Sequence, residues 1–196
     1  MRAMDDGGVW TYEEGKLMFQ RSGAKRPQVV LENDSIVAMA ADGDMPGTLY
    51  YVTWSEEGQR LLSTTSYGLP MTPGRDLDSS FNITDMVATG GRVYAVVNNK
   101  QIRNSIYSIS VRPDQAEYDA ALHIEGWTNK RVSNLSLHGD VLFAYRETGE
   151  LAAINLRTLE LFCPPVKVKG LLEIVTGFEK DGDQYAFVIN EERRLM

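Results

Sequence analysis

Two histidines, His123 and His138, are all that the 196 residues contain, so a metal site built from several imidazoles has almost no material. Two Asp-Gly-Asp triplets, Asp42-Gly43-Asp44 and Asp181-Gly182-Asp183, offer the hard carboxylate oxygens that calcium prefers. Neither continues into a loop of about twelve residues closed by a glutamate. Asp76 and Asp78 share the spacing of loop ligands with no further support. A glycine between two aspartates is also a tight-turn signal, and turn chemistry accounts for all of these residues. His138, in His138-Gly139-Asp140, belongs with them. There is no Gly-x-Ser-x-Gly nucleophile elbow. Catalytic, metal and cofactor sites are therefore expected to be absent.

The residues better suited to recognition are acidic and aromatic. Glu13-Glu14, Glu56-Glu57, Glu147 and Glu191-Glu192 all stand at or beside turn residues. Brought to one rim, they would form an acidic collar complementary to a basic partner. Otherwise they are solvated hairpin tips. Trp10 and Trp54 precede similar turns and are expected in the core. Trp127, in Glu125-Gly126-Trp127-Thr128-Asn129, lies in a loop between repeats, where binding residues concentrate. It is the candidate aromatic contact.

Composition narrows the partner class. The chain is 43% hydrophobic and 24% charged, ordinary values for a folded domain. A formal charge of −7 argues against a nucleic-acid ligand, which needs clustered Lys and Arg. The pairs Lys25-Arg26 and Lys130-Arg131 read as solvated loop charges. No apolar run approaches the roughly 18 residues that cross a bilayer, and no secretion signal opens the chain. Cys163 is the only cysteine, expected as a half-buried thiol at a strand end, which with the missing signal suggests a cytoplasmic protein. Three sequons, beginning at Asn33, Asn82 and Asn134, recur at one point of a repeat and are explained by repetition.

That repeat positions everything else. Thr11-Tyr12-Glu13-Glu14-Gly15-Lys16-Leu17 returns as Thr53-Trp54-Ser55-Glu56-Glu57-Gly58-Gln59-Arg60-Leu61 and, more loosely, from Ala144 to Leu151. Gly15 and Gly58 lie 43 residues apart, and Gly58 and Gly149 lie 91, about two periods of 45. Between hairpins a second landmark recurs: Ile36 to Asp44, Ile83 to Gly91, Val132 to Asp140, and a degraded copy from Leu171 to Asp183. Each reads as a short strand entering a tight turn. The segments that follow, such as Leu49 to Trp54, Val93 to Val97 and Val141 to Tyr145, are aromatic and β-branched throughout. Continuous apolarity means a strand covered on both faces. A fourth strand is weaker, with candidates at Gln28–Glu32, Ser66–Met71, Tyr118–Ile124 and Val166–Lys169. The stretch 113–122 also suits a short helix, and 72–80 an exposed loop.

The order strand, turn, strand, Glu/Thr-Gly turn, strand resembles a blade of the β-propeller repeat superfamily, with Val141 to Leu159 similar to WD-type and quinoprotein-like blades. The Gly-His…Trp-Asp pairing of WD repeats is missing. The resemblance implies an all-β propeller of about four to five four-stranded antiparallel blades, with a partial or open ring left as an alternative to a closed one. Approximate units are 9–32, 36–75, 83–124, 132–169 and 171–196. A segment of a longer propeller, a ring completed by a partner chain, and a closed small ring all fit this phase.

The functional expectation is a non-enzymatic scaffold that binds protein, through Glu13, Glu14, Glu56, Glu57, Glu147 and Trp127, its partner being basic or one that completes the ring. The alternatives are an enzyme with its active site in the axial channel, and a small-ligand or glycan-binding propeller contacting its ligand through Trp127.

Overall fold

The computed structural model describes residues 2–5, 7–70, 74–98, 105–112, 114–115, 119–127, 131–181 and 183–190. Eighteen strands and no α-helix occur among them. The first sheet joins β1 (Arg2–Asp5), β2 (Gly8–Glu13), β3 (Lys16–Arg21) and β4 (Gln28–Glu32). The second joins β5 (Ile36–Ala41), β6 (Thr48–Ser55), β7 (Gly58–Thr65) and β8 (Arg75–Asp76). The third holds β9 (Ile83–Thr89), β10 (Arg92–Val97), β11 (Ser105–Ser110) and β12 (Ala120–Ala121). The fourth holds β13 (Val132–His138), β14 (Val141–Arg146), β15 (Glu150–Asn155) and β16 (Val166–Lys167). The fifth pairs β17 (Leu171–Lys180) with β18 (Asp183–Asn190).

Every pairing is antiparallel and every sheet is a meander in chain order. The first strands β1, β5, β9, β13 and β17 pack side by side in succession. These are the blades of a β-propeller. No contact of comparable extent joins β17 or β18 to the first sheet among the described residues.

The continuous apolar runs now have a cause. In β6, Leu49 and Tyr51 pack toward the first sheet with Trp10, Leu17 and Phe19. Tyr50 and Val52, one residue out of phase, pack toward the third with Met86, Val93 and Ala95. In β14, Leu142 and Ala144 meet Val96 and Ile106 of the third sheet, while Phe143 and Tyr145 meet Leu171 and Ile174 of the fifth. A strand has two faces and here each meets a neighbouring sheet, so alternation disappears. The third residue of each second strand is aromatic: Trp10, Tyr50, Tyr94, Phe143 and Tyr185. The first four each join the cluster shared with the following sheet.

Several expectations need revision. The first sheet takes in β1, seven residues before the expected start at 9. In the second sheet the outer strand is β8, inside the stretch read as an exposed loop, whereas Ser66–Pro70 forms a turn; Met71 lies outside the described residues. Local propensity favoured the apolar stretch, but Arg75 gains an ion pair and Leu77 gains burial only across the sheet boundary. Of the candidate helix, Ala120–Ala121 form β12 and Asp114-Gln115 a single tight turn, residues 113 and 116–118 being outside the described set. Cys163 is exposed, because residues 162–163 form a bend rather than a strand end.

Candidate partner-binding surface

The hairpins joining second to third strands and the connectors joining one sheet to the next share one end of the molecule. Their backbones are tied together. Asn33 N–H donates to the Gly15 carbonyl at 2.8 Å, Leu77 N–H to Gln59 at 3.0 Å and Val168 N–H to Gly149 at 2.9 Å. On the entry side, Trp54 N–H donates to Ser35 at 2.9 Å, Asn98 N–H to Asn82 at 2.9 Å and Glu147 N–H to Arg131 at 3.0 Å. Tyrosine hydroxyls add to this in two sheets: Tyr12 donates to the Asn33 carbonyl at 2.8 Å, Tyr145 to Val168 at 3.0 Å. Four of the five first strands, β5, β9, β13 and β17, also carry a bulge near the start, between Ile36 and Ala38, Val132 and Asn134, and Leu171 and Glu173, and opposite Val96 and Val97 for β9. The skipped residues are Val37, Thr84, Ser133 and Leu172, at equivalent points of four repeats. A bulge turns a side chain out of the ladder, and Val37 and Leu172 are exposed here.

This face receives the five predicted glutamates that lie in the described residues, all exposed. Glu13 pairs with Lys16 across a two-residue turn in which Glu14 (φ 51°) and Gly15 (φ 75°) are both left-handed. A Cβ on Gly15 would fall 1.9 Å from Asp34 Oδ1, so the connector packs directly on the turn. Glu56 and Glu57 are the central residues of the β6–β7 turn, which Ser55 Oγ braces by accepting from Glu57 N–H at 3.2 Å. Glu147 opens the three-residue β14–β15 turn that ends at Gly149 (φ 87°). Glu191 and Glu192 lie outside the described residues. Beside this turn Glu150 accepts from Lys167 Nζ at 3.2 Å and pairs with Arg146 Nη1 at 2.9 Å. The lysine contact, ahead of the Thr148 hydroxyl and Arg146, holds its carboxyl below the usual range.

The tryptophans exchange the places expected of them. Trp127 is 7% exposed and fills the boundary between third and fourth sheets with Val96, Ile106 and Val132. The Arg146 guanidinium lies over its ring, 4.7 Å from the centroid. An indole so enclosed has little surface for a ligand. Trp10 is fully buried as expected, whereas Trp54 is 53% exposed. The cause is strand length. Tyr50, Val52 and Trp54 form one row facing the third sheet, and β6 runs on to Ser55, so the first two are buried and the third overshoots. Trp54 therefore stands next to Glu56 and Glu57 as the exposed indole of this face.

Two polar constructions elsewhere had no local signature. Asp42 is fully buried, and its Oδ1 accepts from the N–H groups of Asp44 (2.9 Å), Met45 (3.1 Å) and Gly90 (3.2 Å), its Oδ2 from Gly91 at 2.9 Å. Tyr50 donates to it too; burial first, then the Asp42 charge and hydrogen bond, push the phenol well above its ordinary value. The first triplet is thus a turn that reaches across to the β9–β10 turn, where Asp44 also accepts from Thr89 at 2.7 Å. At the outer rim Arg75 makes a two-pronged ion pair with Asp119 and donates to the Ser110 carbonyl at 2.7 Å. No group of three or more His, Cys, Asp and Glu converges among the described residues.

No known family profile matches the sequence, and no curated protein matches it either. Solved structures do. A complex of KlAtg21 with the coiled coil of AgAtg16 is matched with a TM-score of 0.66 at 10% identity, over 97% of this chain and 62% of that one. BamB from Moraxella catarrhalis gives 0.55 at 13%, over 100% and 62%. The Neurospora crassa Pan2 WD40 domain gives 0.57 at 11%, over 95% and 56%. Identities this low speak for the fold alone, and they agree with the propeller read from the sheets. The chain spans between 56% and 62% of the length of these three structures.

Proposed function

We propose that this chain is a protein-binding propeller module that engages a basic partner with its hairpin-bearing face. The observation that carries the reading is one exposed indole, Trp54, beside Glu56 and Glu57 on the hairpin-bearing face that also presents Glu13, Glu14 and Glu147. Carboxylates supply long-range attraction and orientation, and a rigid aromatic supplies the desolvated contact that dominates interface energy. The bulged Val37 and Leu172 add apolar surface on the same face. A fold neighbour solved with a coiled-coil partner is in keeping with protein binding in general. Trp127 keeps a part as a support: it seats Arg146 beneath the turn that carries Glu147.

The test is a fluorescence titration with a short Lys/Arg-rich peptide carrying spaced leucines. Binding should weaken with salt and fall about tenfold or more in Trp54→Ser, consistent with the roughly 2 kcal/mol scale of aromatic anchors. Glu56→Lys with Glu57→Lys should slow association most at low ionic strength. Affinity indifferent to all three changes would remove the reading.

A further inference from the structure

On the opposite end of the molecule, at the boundary between first and second sheets, the surface has the reverse character. Two loops meet there. The first leaves β3 at Arg21 and is closed by Ala24 N–H donating to the Arg21 carbonyl at 2.9 Å and Gln20 Nε2 donating to Ala24 at 2.7 Å. The second leaves β7 at Thr65, whose N–H donates to Leu69 at 2.9 Å and whose carbonyl accepts from Gly68 at 2.8 Å. The Thr65 hydroxyl accepts from the N–H groups of Tyr67 and Leu69, each at 3.3 Å. The loops are joined by Arg21 Nη2 donating to the Tyr67 hydroxyl at 3.0 Å. Gly68 (φ 79°) sits against the Val30 carbonyl so closely that a Cβ would lie 3.2 Å from it.

This tied framework holds apolar side chains outward. Tyr67 is 72% and Leu69 64% exposed, with Val29 of β4 half exposed beside them. Internal hydrogen bonds of this density mean that the exposure is built in and that binding would cost little ordering entropy. The first loop carries Arg21, Lys25 and Arg26, all exposed, with no ion pair to any described carboxylate. Three cations without a described carboxylate partner beside an apolar knob are conspicuous on a chain of net charge −7.

We propose that this patch, formed by Arg21, Lys25, Arg26, Val29, Tyr67 and Leu69, docks an acidic peptide segment of a partner that carries apolar side chains between its carboxylates. Charge complementarity selects the acidic character, and the exposed Tyr67 and Leu69 select the apolar insertions. A bilayer of anionic lipid offers the same charge, but it extends far beyond the patch and meets the negative remainder of the chain. A short segment meets only the field within about a Debye length, roughly 8 Å at physiological salt. Local charge therefore favours the peptide. This surface is independent of the acidic face, and either can fail alone.

The experiment uses fluorescence anisotropy of the whole chain against a labelled peptide alternating Glu or Asp with Leu and Phe. The peptide should bind, and Lys25→Glu with Arg26→Glu should weaken it about tenfold, the sum of modest exposed ion-pair terms and new repulsion. Tyr67→Ser with Leu69→Ser should weaken it by a similar factor while shifting thermal unfolding only slightly, since both side chains are largely exposed and the Arg21–Tyr67 bond that is lost lies at the surface. Glu56→Lys with Glu57→Lys on the far face should not weaken it. Co-sedimentation with phosphatidylcholine–phosphatidylserine vesicles should show no binding. An unchanged anisotropy, affinity that survives both double substitutions, or vesicle binding without peptide binding each overturns the proposal.

Discussion

The boundary between the second and third sheets and the one between the third and fourth bury similar apolar rows but are locked differently. At the first, Asp42 reaches the β9–β10 turn, Gln59 Oε1 accepts from Ile83 N–H at 2.8 Å, and Arg75 pairs with Asp119 at the rim. At the second, Asp85 crosses, its Oδ2 accepting from Leu135 N–H at 2.7 Å. The place of the other polar locks is taken by Trp127 and the guanidinium above it. Hydrogen bonds to a buried carboxylate specify one register, because any slip leaves the buried charge short of donors. Packing of an indole against aliphatic groups is nearly as stabilising and much more tolerant of small shifts.

The largest effect should follow removal of the carboxylate. Asp42→Ala strands four backbone N–H groups and the Tyr50 hydroxyl at once, and should cost on the order of 3–5 kcal/mol of unfolding free energy. Asp42→Asn keeps one acceptor oxygen but turns a donor toward the remaining N–H groups, and should cost less than the alanine. Urea unfolding monitored by circular dichroism would measure both. A loss in Asp42→Ala no greater than that of an average surface change would erase the contrast between the two boundaries.

How much of this could be seen in the chain itself follows from how local each signal is. Hairpins and strand faces depend on neighbours in sequence: Glu14-Gly15 makes a tight turn wherever it stands, and Leu49 to Val52 must be covered on two sides. The propeller follows from those signals repeated. Outer strand β8 is not legible locally because Arg75 is stabilised by Asp119, a residue of the next repeat, which no window around Arg75 contains. The tryptophans were exchanged for a similar reason. Whether an aromatic at the end of β6 is covered depends on how far the third sheet extends beneath it, and the sequence encodes that only through relative strand lengths. Asp42 reads as a turn former, which it is, but the reach of its acceptors to Gly90 and Gly91 appears only when two repeats are laid together.

Alkaline pH tests the polar boundary from the other partner. The Tyr50 phenol is held neutral by burial and by the Asp42 charge, so its folded value lies above the ordinary 10.0. Its contribution is complete below about pH 10 and is lost as pH rises further, where the unfolded chain ionises and the folded one does not. Tyr50→Phe should cost about 1–2 kcal/mol at neutral pH, the worth of a hydrogen bond to a charged group. It should also flatten the fall of melting temperature with pH above 10. Tyr51 and Tyr94, raised by burial as well, keep part of that slope in the variant. An identical alkaline slope in wild type and variant would separate Tyr50 from the lock.

The smallest effect, that of Trp127→Phe, belongs to the other boundary and sharpens the comparison most. Trp127 Nε1 is buried with no acceptor among the described residues, and Arg146 Nε beside it is in the same condition. An indole N–H without an acceptor contributes desolvation cost and no bond, so its removal should lose only ring area. Trp127→Phe keeps an aromatic face for the Arg146 guanidinium and should cost about 1 kcal/mol or less. Trp127→Ala empties the boundary and should cost about 3–5 kcal/mol. A wide gap between the phenylalanine and alanine variants means that area and shape hold this boundary, whereas Asp42 acts through directed bonds. If Trp127→Phe proved as costly as Trp127→Ala, the indole N–H would have a partner of its own, and the two boundaries would be locked by the same means.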